Sequence, residues 1–238
     1  VTLECYFNQL RQLPALPSNL VTLKCSNNWL EQLPALPSTL VTLGCSRNKL
    51  VQLPPTLPST IETLDCSQNR LTQLPSVLPS SLVKLECFYN QITELPALPS
   101  TLVVLLCGDN DLSQLPPTLP STLIELYCND NQLRELPPLP PILIELQCSS
   151  NRLIQLPTLP PTLIELYCYK NRLTRLPELP STLKILHCNK NRLTQLPTLP
   201  ANICEVAYRN NPLRELPKLP RRVKIINNED SDYYDDDE

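Results

Sequence analysis

One spaced string, LxxLxCxxNxL, returns along the 238-residue chain at steps of 20 or 21 residues. Its asparagines are Asn8, Asn28, Asn48, Asn69, Asn90, Asn110, Asn131, Asn151, Asn171, Asn191 and Asn211, which makes eleven copies. A unit of that length buries too few leucines to offset the entropy of its own ordering. It becomes stable only when copies stack and each hides its apolar edge beneath the next. The period therefore selects a one-dimensional solenoid over a compact globule.

Proline use agrees with this. The 28 prolines would exclude long helices and central strands if they were scattered. Instead they gather in one segment per copy, LPxLP, as at Leu33-Pro34-Ala35-Leu36-Pro37. Three copies are one residue longer, each by an insertion in that same segment: Pro54-Pro55-Thr56-Leu57, Pro75-Ser76-Val77-Leu78 and Pro116-Pro117-Thr118-Leu119. An insertion confined to one place marks a tolerant outer loop. Each proline fixes its own φ and pushes the preceding residue toward extended geometry, so this side is expected to run polyproline-like.

With Leu20 as position 1, Leu23 is position 4, Cys25 position 6, Asn28 position 9, Leu30 position 11, Leu33 position 14 and Leu36 position 17. This pattern resembles the leucine-rich-repeat consensus with Cys at its sixth position. The fold class expected is an α/β-type solenoid that is in practice nearly all-β. It is a horseshoe with one short parallel strand per copy on the concave face and extended convex segments. Positions 3 to 5 form the strand, and alternation turns Leu at 4 and Cys at 6 inward. The leucines at 14 and 17 are expected in the core as well. Asn at position 9 sits where the chain leaves the strand, and its amide is expected to satisfy backbone groups of neighbouring turns.

Ten cysteines follow the period from Cys5 to Cys188. They read as reduced thiols filling the core. No CxxC pair and no His on the same face suggests a metal. A thiol-rich interior suits a reducing compartment, so the expected location is cytoplasmic, including the cytosol of a host. Cys204 stands at position 2 and is expected to be partly exposed. The single His187 points outward beside inward-facing Cys188, so no Cys–His dyad forms. Two glycines in the whole chain leave no phosphate-binding loop. No catalytic residue, metal ligand or cofactor is expected.

The chain begins at Val1 in mid-pattern and is expected to be a piece of a longer one. At the other end the pattern decays: Tyr208 replaces the periodic Cys, and a partial twelfth turn (Val223, Ile226) follows. Residues 229–238, EDSDYYDDDE, carry seven acids and no base. The domain expectation is a solenoid over 1–228 and an acidic, disordered tail over 229–238. No 18-residue apolar run exists to span a membrane.

Function is expected where the repeat leaves residues free. The richest patch lies in the C-terminal half of the concave face. Glu125, Glu145 and Glu165 form an acidic row at position 3. Tyr127, Gln147, Tyr167 and His187 fill position 5 beside it, with Tyr169 at position 7. Lys170, Lys190, Arg152, Arg172 and Arg192 make a basic row at positions 8 and 10. Tyr and Arg carry much of the binding energy at protein interfaces. Two readings stand: a protein- or peptide-binding surface, or neutral copies of a duplicated repeat, because Ile-Glu-Leu-Tyr-Cys at 124–128 recurs at 164–168. The acidic row speaks against a nucleic-acid partner. A second aromatic group, Tyr6, Phe7, Trp29, Phe88 and Tyr89, is less coherent.

The strings LPALPSTLVTLGCSRNKL and LPTLPPTLIELYCYKNRL resemble the short bacterial type of leucine-rich repeat found in YopM-like and IpaH-like effectors. They are also similar to Cys-bearing repeat proteins of giant DNA viruses. The resemblance implies a non-enzymatic, monomeric interaction module that binds a protein or peptide on its concave face, as a pathogen or virus effector. The alternative it implies is the substrate-recognition part of a larger enzyme such as a ubiquitin ligase.

Overall fold

The computed structural model describes residues 1–215, 218–220 and 223–226. Twelve strands form one parallel sheet in chain order. They are β1 (Thr2–Glu4), β2 (Thr22–Lys24), β3 (Thr42–Gly44), β4 (Thr63–Asp65), β5 (Lys84–Glu86), β6 (Val104–Leu106), β7 (Glu125–Tyr127), β8 (Glu145–Gln147), β9 (Glu165–Tyr167), β10 (Ile185–His187), β11 (Glu205–Ala207) and β12 (Lys224–Ile225). No helix occurs among the described residues. From β1 to β11 the register is strict, so each position meets its own equivalent: Leu126 pairs with Leu146 and Leu146 with Leu166. The tail expected over 229–238 lies outside the described residues.

Strands β1 to β11 are three residues long and β12 two. In β2 to β10 the middle leucine is fully buried and its two neighbours look outward. Stacking continues past the strand through the backbone: Cys128 N–H donates to Gln147 O at 2.8 Å, and Asp130 N–H to Ser149 O at 3.0 Å. Leucines at positions 1, 4 and 11 and cysteines at position 6 are fully buried from Leu20 to Leu193. At position 17 the expectation holds for Leu78, Leu159 and Leu199, which are buried, and is corrected in degree for the others. Leu36, Leu57, Leu98, Leu119, Leu139 and Leu179 are only partly buried, because one layer of extended chain is all that covers the convex side.

The cysteines stand as expected. All eleven are free thiols, nine are buried, Cys5 is half-covered at the first coil, and Cys204 is exposed. Burial pushes the thiols up, to about 12 for Cys25, Cys148 and Cys188. They act as apolar filler rather than as reactive groups.

The asparagines bind the coils together. Asn151 Nδ2 donates to Cys128 O of the preceding copy at 2.9 Å and to Cys148 O of its own at 3.3 Å. Its Oδ1 accepts from Leu133 N–H at 2.9 Å. The same triad recurs at each interior Asn, for example Asn110 and Asn171.

Two regular devices escaped the sequence reading. The residue before each Asn has positive φ in all eleven copies, from Phe7 (55°) to Asn210 (57°), and none is glycine. The turn off the sheet is therefore made at position 8, with Asn locking it from position 9. On the outer side a hydroxyl ladder runs through Thr39, Thr60, Ser81, Thr101, Thr122, Thr162 and Thr182. Each donates to the carbonyl of the position-1 residue one copy back, at 2.6–2.8 Å. Ile142 interrupts it.

Candidate partner-binding surface

Strand alternation places position 3 and position 5 side chains on the open face of the sheet. Glu125, Glu145 and Glu165 stand in register on β7, β8 and β9. Tyr127, Gln147, Tyr167 and His187 stand beside them on β7 to β10. Stacked carboxylates repel unless something answers them. Here the position-5 side chains do so. Gln147 Nε2 donates to Glu145 Oε1 at 2.8 Å, and Tyr167 Oη donates to Glu165 Oε2 at 2.8 Å. Tyr127 stands on the strand next to that of Glu145. Burial, and then these carboxylates, hold the phenols of Tyr127 and Tyr167 far above their ordinary range, so both remain donors.

His187 continues the network. Its Nε2 is 2.8 Å from Glu205 Oε1, and its ring meets Tyr167 edge-on at 5.0 Å between centroids. Lys224 Nζ reaches Glu205 Oε2 at 3.2 Å. Burial alone would raise the Glu205 carboxyl, but the hydrogen bonds from His187 and Lys224 outweigh it and hold it below the usual range. The result is a row of aromatic and amide side chains fixed by carboxylates beneath them. Fixed side chains lose little entropy when a partner arrives.

Beside this row is a cleft of about 310 Å³. Four of the ten residues expected from sequence line it: Gln147, Tyr167, Tyr169 and His187. Glu145 and Glu165 stand behind it as supports, while Glu125 and Tyr127 lie further along the sheet. Lys170 and Lys190 are at the rim, each at a left-handed turn with φ 51° and 55°. The sequence reading did not assign to the site Asn129, Ser149, Asn189 and Arg209, which line the cleft together with Ala207, Asn210 and Ile226. Asn129, Ser149, Asn189 and Arg209 occupy position 7, where their variety from copy to copy was the available signal.

A second feature was also missed. Ile124, Ile144 and Ile164 at position 2 join Ile142 to line an apolar groove of about 770 Å³ on the flank, with Lys184 at one end. The N-terminal aromatics do not form one site. Tyr6 contacts Phe7 and Phe88 contacts Tyr89, in pairs several coils apart, while Trp29 lies under Arg11 and Lys49 at 5.9 and 5.3 Å.

No family model matches the chain, and no curated protein matches it. Solved structures do. YopM from Yersinia enterocolitica is 37% identical, with 94% of this chain and 59% of that one covered and a TM-score of 0.68. YopM from Yersinia pestis, described as a leucine-rich effector protein, is 31% identical over 92% of this chain and 80% of that one, with a TM-score of 0.58. The chain belongs to the YopM-like leucine-rich-repeat family. It spans 59% of the first of these relatives. The functional domain of InlJ from Listeria monocytogenes, described as including a cysteine ladder, is 26% identical over 90% of this chain and 54% of that one, with a TM-score of 0.76. Leucine-rich repeats of this kind are protein-interaction modules. Among the described residues no helix is long and apolar enough to cross a membrane.

Proposed function

We propose that this leucine-rich-repeat chain recognises a protein through the open face of β7 to β11, taking an extended segment across Tyr127, Gln147, Tyr167, Tyr169 and His187. The observation that carries the reading is the hydrogen-bonded row itself. Glu145, Glu165 and Glu205 fix the side chains that would touch a partner, which a merely solvated duplicate has no need to do. The cleft beside the row accepts one or two side chains of the segment, and Lys170 and Lys190 border it. The partner is a protein rather than a nucleic acid, since the sheet presents acids and phenols where a polyanion would have to lie. The chain acts as a monomer, as an effector in cytosol, where the buried thiols stay unpaired. The likeness to the leucine-rich effector of Yersinia pestis supports this role.

The test is a pull-down from host cytosol with mass spectrometry, native chain against Tyr167→Ala/His187→Ala. The native chain retains a defined partner and the double variant loses it at least tenfold, with unchanged circular dichroism. Retention by the double variant, together with loss on Ile144→Glu/Ile164→Glu, would move the interface to the flank groove.

A further inference from the structure

At position 2, where the chain enters each strand, the fifth to ninth copies carry Val83, Val103, Ile124, Ile144 and Ile164. None of the five is buried, and Val83 and Ile144 are 39% and 38% exposed. They form a β-branched stripe along the flank, and the groove of about 770 Å³ is its C-terminal half. The threonines beside the stripe, Thr101, Thr122 and Thr162, turn their hydroxyls onto backbone carbonyls one copy back. Ile142, 43% exposed, takes the place of one of them. The flank is therefore apolar and poor in free donors, which is the composition of an interface core rather than of a solvated edge.

The charges of this flank are as regular as its apolar residues. Glu62 holds position 2 on the fourth copy and Lys184 holds it on the tenth. The four residues that lead into each strand, 80–83 for example, carry no other charge between those two. Both residues are exposed, and neither is ion-paired among the described residues. Each stands three copies from Ile124, roughly 15 Å at the spacing of paired strands. A row with an acid at one end, a base at the other and apolar residues between them is complementary to itself when reversed.

We propose that this flank docks a second copy of the chain, antiparallel to the first, with the two-fold axis at Ile124. Glu62 of each copy then meets Lys184 of the other. Val83 meets Ile164, Val103 meets Ile144, and Ile124 meets its own equivalent, so the smaller valines lie against the groove half. A parallel arrangement would set Glu62 on Glu62 and Lys184 on Lys184. Burial of the stripe drives the contact, and the two charge pairs fix its direction and register. The strip is roughly 30 Å long and one or two side chains wide. That is less than the roughly 800 Å² per partner of a stable complex, so the contact is weak. The dilute chain binds its protein through the sheet face as a monomer, and copies pair where they are crowded together. Pairing uses no residue of the sheet face, so two paired copies can engage two sites of one partner with avidity.

Sedimentation velocity of the full chain over a hundredfold range of concentration tests this without any partner. The native chain should move from monomer toward dimer as concentration rises. Glu62→Lys and Lys184→Glu each set like charges together at both ends and should weaken pairing at least about tenfold. The double variant Glu62→Lys/Lys184→Glu should restore it, and so should an equimolar mixture of the two single variants, because each then supplies the charge the other lacks. Circular dichroism melts confirm that these exposed substitutions leave the fold intact. Register is read with a short bis-maleimide in a Cys204→Ser background. Ile124→Cys should join two chains, whereas Val83→Cys should not, since its two equivalents would lie four copies, or roughly 20 Å, apart. A native chain that stays monomeric throughout, single variants that pair as well as native, failure of both rescues, or equal cross-linking at Ile124→Cys and Val83→Cys would each overturn the proposal. None of these outcomes depends on which protein the sheet face recognises.

Discussion

His187 Nε2 stands 2.8 Å from Glu205 Oε1 on the neighbouring strand, and Lys224 Nζ reaches the other oxygen of the same carboxylate at 3.2 Å. Two donors hold Glu205 ionised, so its folded pKa lies below the unfolded value of 4.5. A depressed carboxyl contributes stability that is present above that unfolded value and is lost as pH falls through the folded one. Glu205→Gln should therefore destabilise the chain above about pH 5, by under about 1 kcal/mol because the cluster is partly solvated. The two proteins should converge in acid. Urea melts between pH 3 and pH 7 read this directly; a constant gap across that range would contradict it.

The asparagine column offers a graded comparison within one chain. Asn151 is buried and serves two copies, donating to Cys128 O and Cys148 O and accepting from Leu133 N–H. Asn8 is exposed and donates only within its own copy, to Cys5 O and Tyr6 O. Removing a partner from a buried group costs about 1–3 kcal/mol for each group left unsatisfied. Asn151→Ala should cost about 3 kcal/mol or more and Asn8→Ala under about 1. Similar losses at both sites in denaturant titrations would contradict the picture of Asn as a clamp between coils.

Thiol chemistry checks the cysteine column. Cys204 is the one exposed thiol, Cys5 is half-covered, and the other nine are buried. An aromatic disulfide reagent should label one thiol within seconds to minutes in the native chain. Cys5 should follow slowly, held back by burial that raises its thiol, and the rest should react only on unfolding. Cys204→Ser should abolish the fast phase. Several fast thiols would mean that the inner face is open.

Much of this was legible in the sequence because the repeat states it eleven times. Strand positions 3 to 5, the buried Cys at 6 and the bridging Asn at 9 all follow from period and alternation. The surface row Glu145–Gln147–Glu165–Tyr167–His187 was also legible, but not its hydrogen bonds. Those depend on which rotamer reaches which neighbour. Position 8 was hidden for a different reason. Phe7, Arg47, Gln68, Tyr89 and Lys190 share no side-chain chemistry that marks a left-handed turn, and the signal lies in the fixed Asn that follows them. The flank groove was missed because Ile124, Ile144 and Ile164 read as ordinary repeat residues until Ile142 closes the space between them.

The left-handed turns carry a testable strain. Gln68 has φ 51°, where its Cβ crowds the backbone at about 1 kcal/mol. Asn27 and Asn210 occupy the same conformation with a side chain that tolerates it. Gln68→Asn should raise stability by about 0.5–1 kcal/mol, whereas Gln68→Ala should not. Calorimetric melts of the three proteins decide it, and a gain from alanine equal to that from asparagine would remove backbone strain as the cause.

Asp109 gives the opposite pH signature to Glu205. Burial, and then the facing Asp130, push its carboxyl up to about 6 from 3.8. The neighbouring Asn129 amide, packed over Gly108, donates to Asp130 at 2.9 Å and reaches Asp109 only at 3.5 Å, too little to offset the burial. Between the two pKa values the unfolded carboxyl is ionised while the folded one still holds its proton. Stability is therefore lost as pH rises from about 4 to 6, and the full penalty applies above that. Asp109→Asn removes the titration and keeps a residue suited to φ 52°. The variant should match the native chain near pH 4 and exceed it at pH 7.5 by about 1 kcal/mol, after allowance for partial solvation. Titration of the Asp109 carboxyl by NMR, with denaturant melts at both pH values, gives two independent readings. A carboxyl that titrates near 4, or a stability gain already complete at pH 4, would show that Asp130 and burial do not act on it as described.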